Sequence, residues 1–368
     1  MIPMLDLVRL HAPLAAELSR VFAETLASGR FIGGPAVELF ERQLAARVGA
    51  RFAVGTSSGT DALLAALMAL GVQPGDEVIT TPYTFFATAG CVARLGAMPV
   101  FADIEPHGFH LDPTWIEALV TDRTVGVLPV HLFGAPAAVD EIRAIADRHG
   151  LWVLEDAAQA IGATRGGNAA GTFGAAGALS FFPAKNLGAL GDAGAVVTDD
   201  PDLAARLRLL REHGALRRNH HEAIGGSFRL DALQAALLSV KLGHLPRWEE
   251  GRRKVADAYG AAFTGVGDLV LPIEPPGDRH VFNQYVVRTS HRDALASALD
   301  AAGIGCAFHY ATPLHLQPCF AGLGHRAGDL PNAERACREA IALPIDPLLT
   351  EDEQAAVVSV VRRTVEGT

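Results

Sequence analysis

Arg51-Phe52-Ala53-Val54-Gly55-Thr56-Ser57-Ser58-Gly59-Thr60-Asp61 runs from a short apolar stretch through small residues into a segment where Leu63, Leu64, Leu67 and Leu70 recur at helical spacing. A strand, a tight turn and a helix in that order form the unit from which a parallel α/β sheet is built. The same alternation repeats downstream. Glu77-Val78-Ile79-Thr80 precedes a helix through Val92, and Met98-Pro99-Val100-Phe101 and Thr124 to Val130 read as strands. Ala138 to His149, closed by Gly150, predicts a helix with a glycine stop, and Leu151-Trp152-Val153-Leu154 a further buried strand. The pattern implies a mostly parallel sheet with helices on both faces.

The chain has 368 residues, 49% of them apolar and 20% charged, with 38 glycines, which describes a well-packed globular protein of about two domains. Helical patterns at Leu203 to His213 and Leu230 to Leu242 complete a large domain over residues 1–245. Pro246 predicts a break, after which a long helix near Trp248 to Phe263 leads into a small α+β domain, 246–368. There Val281 to Arg288 and Cys306 to Tyr310 read as strands, and Arg292 to Ala302 and Asn332 to Ala342 as helices. A last helix starts at Thr350, where Glu353 completes a capping box.

The net charge of −10 argues against a nucleic-acid or anionic-membrane partner. No apolar stretch is long enough to span a bilayer. The first residues show no basic segment followed by an apolar core, so no export signal is expected and the protein reads as cytoplasmic. Cys91, Cys306, Cys319 and Cys337 lack paired short spacing, which predicts reduced thiols. His107, His110, His220, His221 and His280 lack companion ligands at convincing spacing and read as surface or cap residues, so no metal is expected. Arg252-Arg253-Lys254 reads as a solvated helix face.

Three segments place unusual residues at strand ends, where open α/β sheets gather ligands. The turn Thr56 to Asp61 offers free amides at a helix start, a seat for phosphate or a plain cap through Ser58 or Thr60. Asp156, in Val153-Leu154-Glu155-Asp156-Ala157-Ala158-Gln159, follows an apolar strand and needs a positive partner or several donors. Lys185 follows Ala178-Leu179-Ser180-Phe181-Phe182, where burial would lower its pKa and favour the neutral amine. A phosphate seat, a carboxylate and a lysine are together what pyridoxal phosphate requires: an anion site, a partner for its ring nitrogen and an amine for a Schiff base. Phe85, in Pro82-Tyr83-Thr84-Phe85-Phe86, is the candidate to cover the ring.

On these segments the chain resembles the sugar aminotransferases of the DegT/DnrJ/EryC1/StrS group, which are fold-type I pyridoxal-phosphate enzymes. The resemblance extends to Gly29-Arg30-Phe31-Ile32-Gly33-Gly34-Pro35, His131-Leu132-Phe133-Gly134, Arg229-Leu230-Asp231 and Pro313-Leu314-His315. It implies Lys185 as the Schiff-base lysine, Asp156 at the pyridine nitrogen and Gln159 beside the ring hydroxyl. Gly59, Thr60 and Ser180 would hold the phosphate and Phe85 would stack on the ring. It also implies a homodimer with shared active sites, in which the position usually held by Asn is Ser227, whose shorter side chain still donates to a phosphate. Phe31, Arg229, His309, Tyr310 and His315 are candidates to touch the substrate. Asn283-Gln284-Tyr285 would either line the sugar pocket or form a strand edge.

The activity implied is transfer of an amino group from an amino acid, L-glutamate, to a nucleotide-linked keto-sugar, with C-3 of a hexose favoured over C-4. The alternatives are a cyclitol aminotransferase, a sugar dehydratase, which Lys185 disfavours because those relatives carry His there, and a non-catalytic regulatory relative.

Overall fold

Seven short apolar segments pair into one sheet in the computed structural model, which describes residues 1–367. They are β1 (Phe52–Thr56), β2 (Glu77–Thr80), β3 (Met98–Phe101), β4 (Thr124–Leu128), β5 (Trp152–Asp156), β6 (Ala176–Ser180) and β7 (Gly194–Thr198). Their order across the sheet is β1-β7-β6-β5-β4-β2-β3. The four contacts from β6 to β3 are parallel, whereas β7 runs antiparallel to both β6 and β1. Every strand except β7 therefore ends on the same rim.

Alternate side chains leave the sheet on opposite faces, and each face is covered by its own helices. Val54, Val78, Leu128, Leu154, Ala178 and Val196 pack against α4 (Gly59–Ala69), α5 (Ala87–Arg94) and α7 (Pro201–Arg211). On the other face Ala53, Leu179 and Val197 meet α3 (Pro35–Val48) and the first half of α8 (Ala232–Phe263). Ile79, Val127 and Val153 meet α6 (Val139–His149) on that face, and α6 closes on Gly150 at φ 66° as its sequence predicts. Near the N-terminus, α1 (Leu7–His11) and α2 (Ala15–Ser28) rest on α8 through Leu10, Leu14, Leu18, Leu237 and Trp248.

Pro246 does not break the chain: it lies inside α8, which runs without interruption for 32 residues. A mid-helix proline costs about 3 kcal/mol, but Leu245 and Trp248 on either side of it are buried in two apolar clusters, which offsets that cost. The far half of α8 supplies Val255, Tyr259 and Phe263 to the small-domain core. That core also takes β8 (Tyr285–Arg288), α9 (Arg292–Ala301), β9 (Ala340–Leu343) and α11 (Glu351–Glu366), while α10 (Pro331–Glu339) packs toward the large domain. The expected helix to Ala342 stops at Glu339 because the following residues pair with β8. Cys306 to Tyr310 is irregular apart from one pairing of Ala307 with Ala342. Thr350 and Glu353 make the predicted reciprocal cap.

Arg252 corrects the reading of its run as a solvated face. Its side chain is 2% exposed, with Nη1 donating to the carbonyls of Ile345 (2.7 Å), Phe282 (3.2 Å) and Asn283 (3.4 Å). Burial pushes its pKa down to about 10. Arg253 pairs with Glu274 at 2.6 Å. Among the described residues no helix is long and apolar enough to cross a membrane.

Candidate active site

The rim where six strands end collects the polar side chains that sequence alone had singled out. At the end of β1, Ser58 caps α4 by accepting from the Asp61 amide (3.0 Å), and Ser57 Oγ donates to Asp61 Oδ2 (2.6 Å). Among the described residues the amides of Gly59 and Thr60 have no acceptor, so they face outward at the positive end of the helix. Ser180, the last residue of β6, lies directly against Gly59: a methyl there would stand 2.5 Å from Ser180 Cβ and 2.9 Å from its Oγ. Close approach of β6 to the helix start is what requires glycine.

Asp156 closes β5 and is buried. Thr88 Oγ1 donates to its Oδ2 at 2.7 Å and the Ala158 amide to Oδ1 at 3.2 Å. Burial raises the carboxyl pKa; these two donors and, more weakly, Lys185 and His131 oppose the rise. Lys185 sits on the turn after β6, partly buried, and its pKa is pushed down to about 8 by burial, with Asp156 opposing. The buried carboxylate with no cation in hydrogen-bond contact, the depressed amine and the free-amide seat fit pyridoxal phosphate at three separate points. Phe85, on the segment between β2 and α5, leaves 59% of its surface exposed and stacks on no other ring among the described residues, so its face is free for a cofactor ring.

Gln159 Oε1 accepts from the Phe133 amide at 2.6 Å and lies against the Tyr310 hydroxyl. Tyr310 is raised by burial and by Asp156, and His309 is lowered by burial and by Lys185, so both small-domain residues overhang the rim. Tyr83 fastens that segment by donating to the His309 carbonyl. His315 is not brought to this group. It is wholly buried, with Nε2 on Glu334 Oε1 at 3.2 Å, and serves the small domain's interior instead. Ser227 is exposed and accepts from Arg229 Nη2 (2.7 Å), while Arg229 Nη1 donates to Glu212 (3.1 Å). Phe31 is half exposed, and its carbonyl accepts from the Ala232 amide at the start of α8.

Several residues at the rim escaped the sequence reading. Thr88 orients Asp156, and Thr84 bonds Thr88 in turn at 3.0 Å. His131, after β4, accepts from the Ala137 amide at Nδ1 (3.0 Å) and reaches Glu155 with Nε2 at 2.7 Å. Glu155 also accepts from the amides of Gly171, Phe173 and Gly174. The signals available were Glu155, a carboxylate inside an apolar strand, and His131 at the head of one of the motifs that carry the resemblance, neither of which was given a role. His280, taken as a surface or cap residue, is buried with its ring stacked 3.9 Å over Phe282. Among the described residues no group of three or more His, Cys, Asp or Glu side chains is placed to hold a metal ion.

The profile of the DegT/DnrJ/EryC1/StrS aminotransferase family matches residues 14–362. A Geobacillus stearothermophilus protein named pleiotropic regulatory protein is 50% identical, across 97% of this chain and 96% of its own. The dTDP-3-amino-3,4,6-trideoxy-alpha-D-glucose transaminase of Streptomyces venezuelae is 44% identical, across 99% and 96%. A crystal structure of S. venezuelae DesV superposes with a TM-score of 0.97 at 44% identity, covering 99% of this chain and 98% of that one. A match over nearly the whole length, on a sheet whose rim couples one depressed lysine to one buried carboxylate, makes this protein a member of the DegT/DnrJ/EryC1/StrS aminotransferase family.

Proposed function

We propose that this protein moves an amino group from L-glutamate to C-3 of a keto-hexose linked to a nucleoside diphosphate, with pyridoxal 5′-phosphate as cofactor, in amino-sugar biosynthesis. The observation that carries the reading is Lys185, its amine lowered to about 8, coupled to the buried carboxyl of Asp156. Bound at this rim, the cofactor supplies an electrophilic carbon and an electron sink for the bond broken at the donor's α-carbon.

The chain's own residues do the rest. The Gly59 and Thr60 amides and Ser180 Oγ hold the phosphate, and Asp156, oriented by Thr88, keeps a proton on the ring nitrogen. Phe85 covers one face of the ring and Gln159 borders its hydroxyl edge. Lys185 Nζ, largely neutral just above its lowered pKa, takes the proton from the donor's α-carbon as a base and gives a proton back as an acid. His309 and Tyr310 narrow the mouth from the small-domain side and exclude water.

The choice of a nucleotide-linked sugar and of C-3 draws on the name of the Streptomyces transaminase. We take the working form to be a cytoplasmic homodimer in which each Ser227 serves the neighbouring site. Exposed Phe22, Leu26, Ile32, Leu39 and Ile224 support an association surface. A regulatory reading has one observation in its favour, the name of the Geobacillus relative.

A visible absorption spectrum taken before and after excess L-glutamate separates the two readings. The expected result is a cofactor band near the visible edge that disappears with glutamate and returns on adding a dTDP-linked 3-keto-hexose. No band, even after soaking in pyridoxal phosphate, would reject the enzyme and leave the regulator. A band indifferent to glutamate would move the donor to glutamine.

A further inference from the structure

Lys241 is the one other lysine of the chain with a clearly lowered pKa, and nothing in the transamination uses it. It lies in the first half of α8, 1% exposed, and burial pushes its pKa down to about 8. No carboxylate contributes to that shift. Its Nζ has three neighbours: it donates to the Gly188 carbonyl, it meets His11 Nε2 at 2.8 Å, and it stands 5.9 Å from the centre of the Trp248 ring. An ammonium offers three donors, and here they find a carbonyl, a ring nitrogen and a π face.

Gly188 lies three residues beyond Lys185, on the same turn. That turn is folded tightly back on itself. The Lys185 amide donates to the Phe182 carbonyl (2.8 Å) and the Ala189 amide to Phe181 (2.7 Å), and a methyl on Gly188 would strike the Pro183 carbonyl. From outside, α8 grips it twice: Gln234 Oε1 accepts from the Leu190 amide (2.8 Å), and Lys241 takes the Gly188 carbonyl. His11 completes the coordination of Lys241 from a different direction. It ends α1, whose preceding strap is stitched to the small domain. Ile2 exchanges backbone bonds with Gly303 and Gly305 (both 2.8 Å), the Asp6 amide donates to Asp346 (2.6 Å), and Arg9 binds Glu353 through two bonds of 2.8 Å.

We infer that Lys241 is a positioning residue for Lys185: it fixes the Gly188 carbonyl and thereby the turn that aims the reactive amine, with His11 tying that turn through the N-terminal strap to the small domain. A shift of about 1 Å in a reacting group is enough to cost a factor of 10 or more in rate.

The inference rests on the aminotransferase reading, and the test keeps the two apart. Lys241→Met retains the stem and removes the donors; His11→Gln retains an acceptor that His11→Ala lacks. Each holoenzyme is read for the single-turnover rate with L-glutamate, the glutamate KM, the pH midpoint of the bound cofactor's absorbance change and the melting temperature. Lys241→Met is expected to slow the half-reaction by about tenfold or more with KM changed less than about threefold. Its absorbance midpoint should move by about half a unit or more. His11→Ala should move rate and midpoint the same way, and His11→Gln should stay nearer the wild type. A Lys241→Met enzyme that melts lower but keeps the wild-type rate and midpoint would overturn the inference. Should Lys241→Met fail to fold, wild-type rate and midpoint in His11→Ala would overturn it equally. A wild-type protein that shows no cofactor band would instead reject the aminotransferase reading itself.

Discussion

Lys185 and Asp156 illustrate how much a single residue's surroundings decide. An ordinary lysine amine holds its proton to pH 10.5; here burial lowers that to about 8, and the carboxyl that would restore it is itself made reluctant to ionise by burial. The sign of the resulting pH dependence is fixed. Between about 8 and 10.5 the unfolded chain binds the proton that folded Lys185 has lost, so the folded state gains as pH rises through that window. In cofactor-free protein, the melting temperature of the wild type should therefore climb relative to Lys185→Met between pH 8 and 10. Parallel curves would mean that the amine is not depressed. The identities of both residues were legible in the sequence because each is an ionisable group set at the end of an apolar run. Thr88 was not, since a threonine in a helix carries no mark until folding brings it within 2.7 Å of Asp156.

At the scale of elements, the junction of β6 with the start of α4 is a close fit, with Ser180 set directly against Gly59. Gly59→Ala should displace Ser180, at a cost of about 1–3 kcal/mol of stability and about tenfold in the Kd for pyridoxal phosphate. A spectroscopic titration alongside thermal melting checks both, and an unaltered Kd would remove Ser180 from the phosphate seat. Strands followed by small-residue turns were readable because their burial is local and periodic. Elements fixed by distant partners were not. Pro246 reads as a stop only until Leu245 and Trp248 are seen buried on either side of it. Ala340 to Leu343 extends a helical pattern until β8 offers it backbone partners. The buried place of Arg252 was hidden in the same way, because its acceptors lie 30 and 93 residues away in the chain.

Across the whole molecule, Arg252 joins the segment that crosses the large domain to the small-domain core. Removing it leaves the carbonyls of Phe282 and Ile345 buried without a donor. Arg252→Ala should cost about 3 kcal/mol in urea unfolding, and a loss under about 1 kcal/mol would mean that the carbonyls find other partners. The register of the central sheet has a further consequence for synthesis. Thr56 of β1 faces Gly194 of β7, a residue made 138 positions later, and β1, at the edge of the sheet, pairs with no other of its strands. Non-local pairing of this kind is slow to form. A nascent chain halted before Gly194 has Gly59, Thr60 and Ser180, yet lacks the strand that joins β1 to β6 and sets them side by side. Capture of the cofactor thus belongs to the finished polypeptide and not to the growing one.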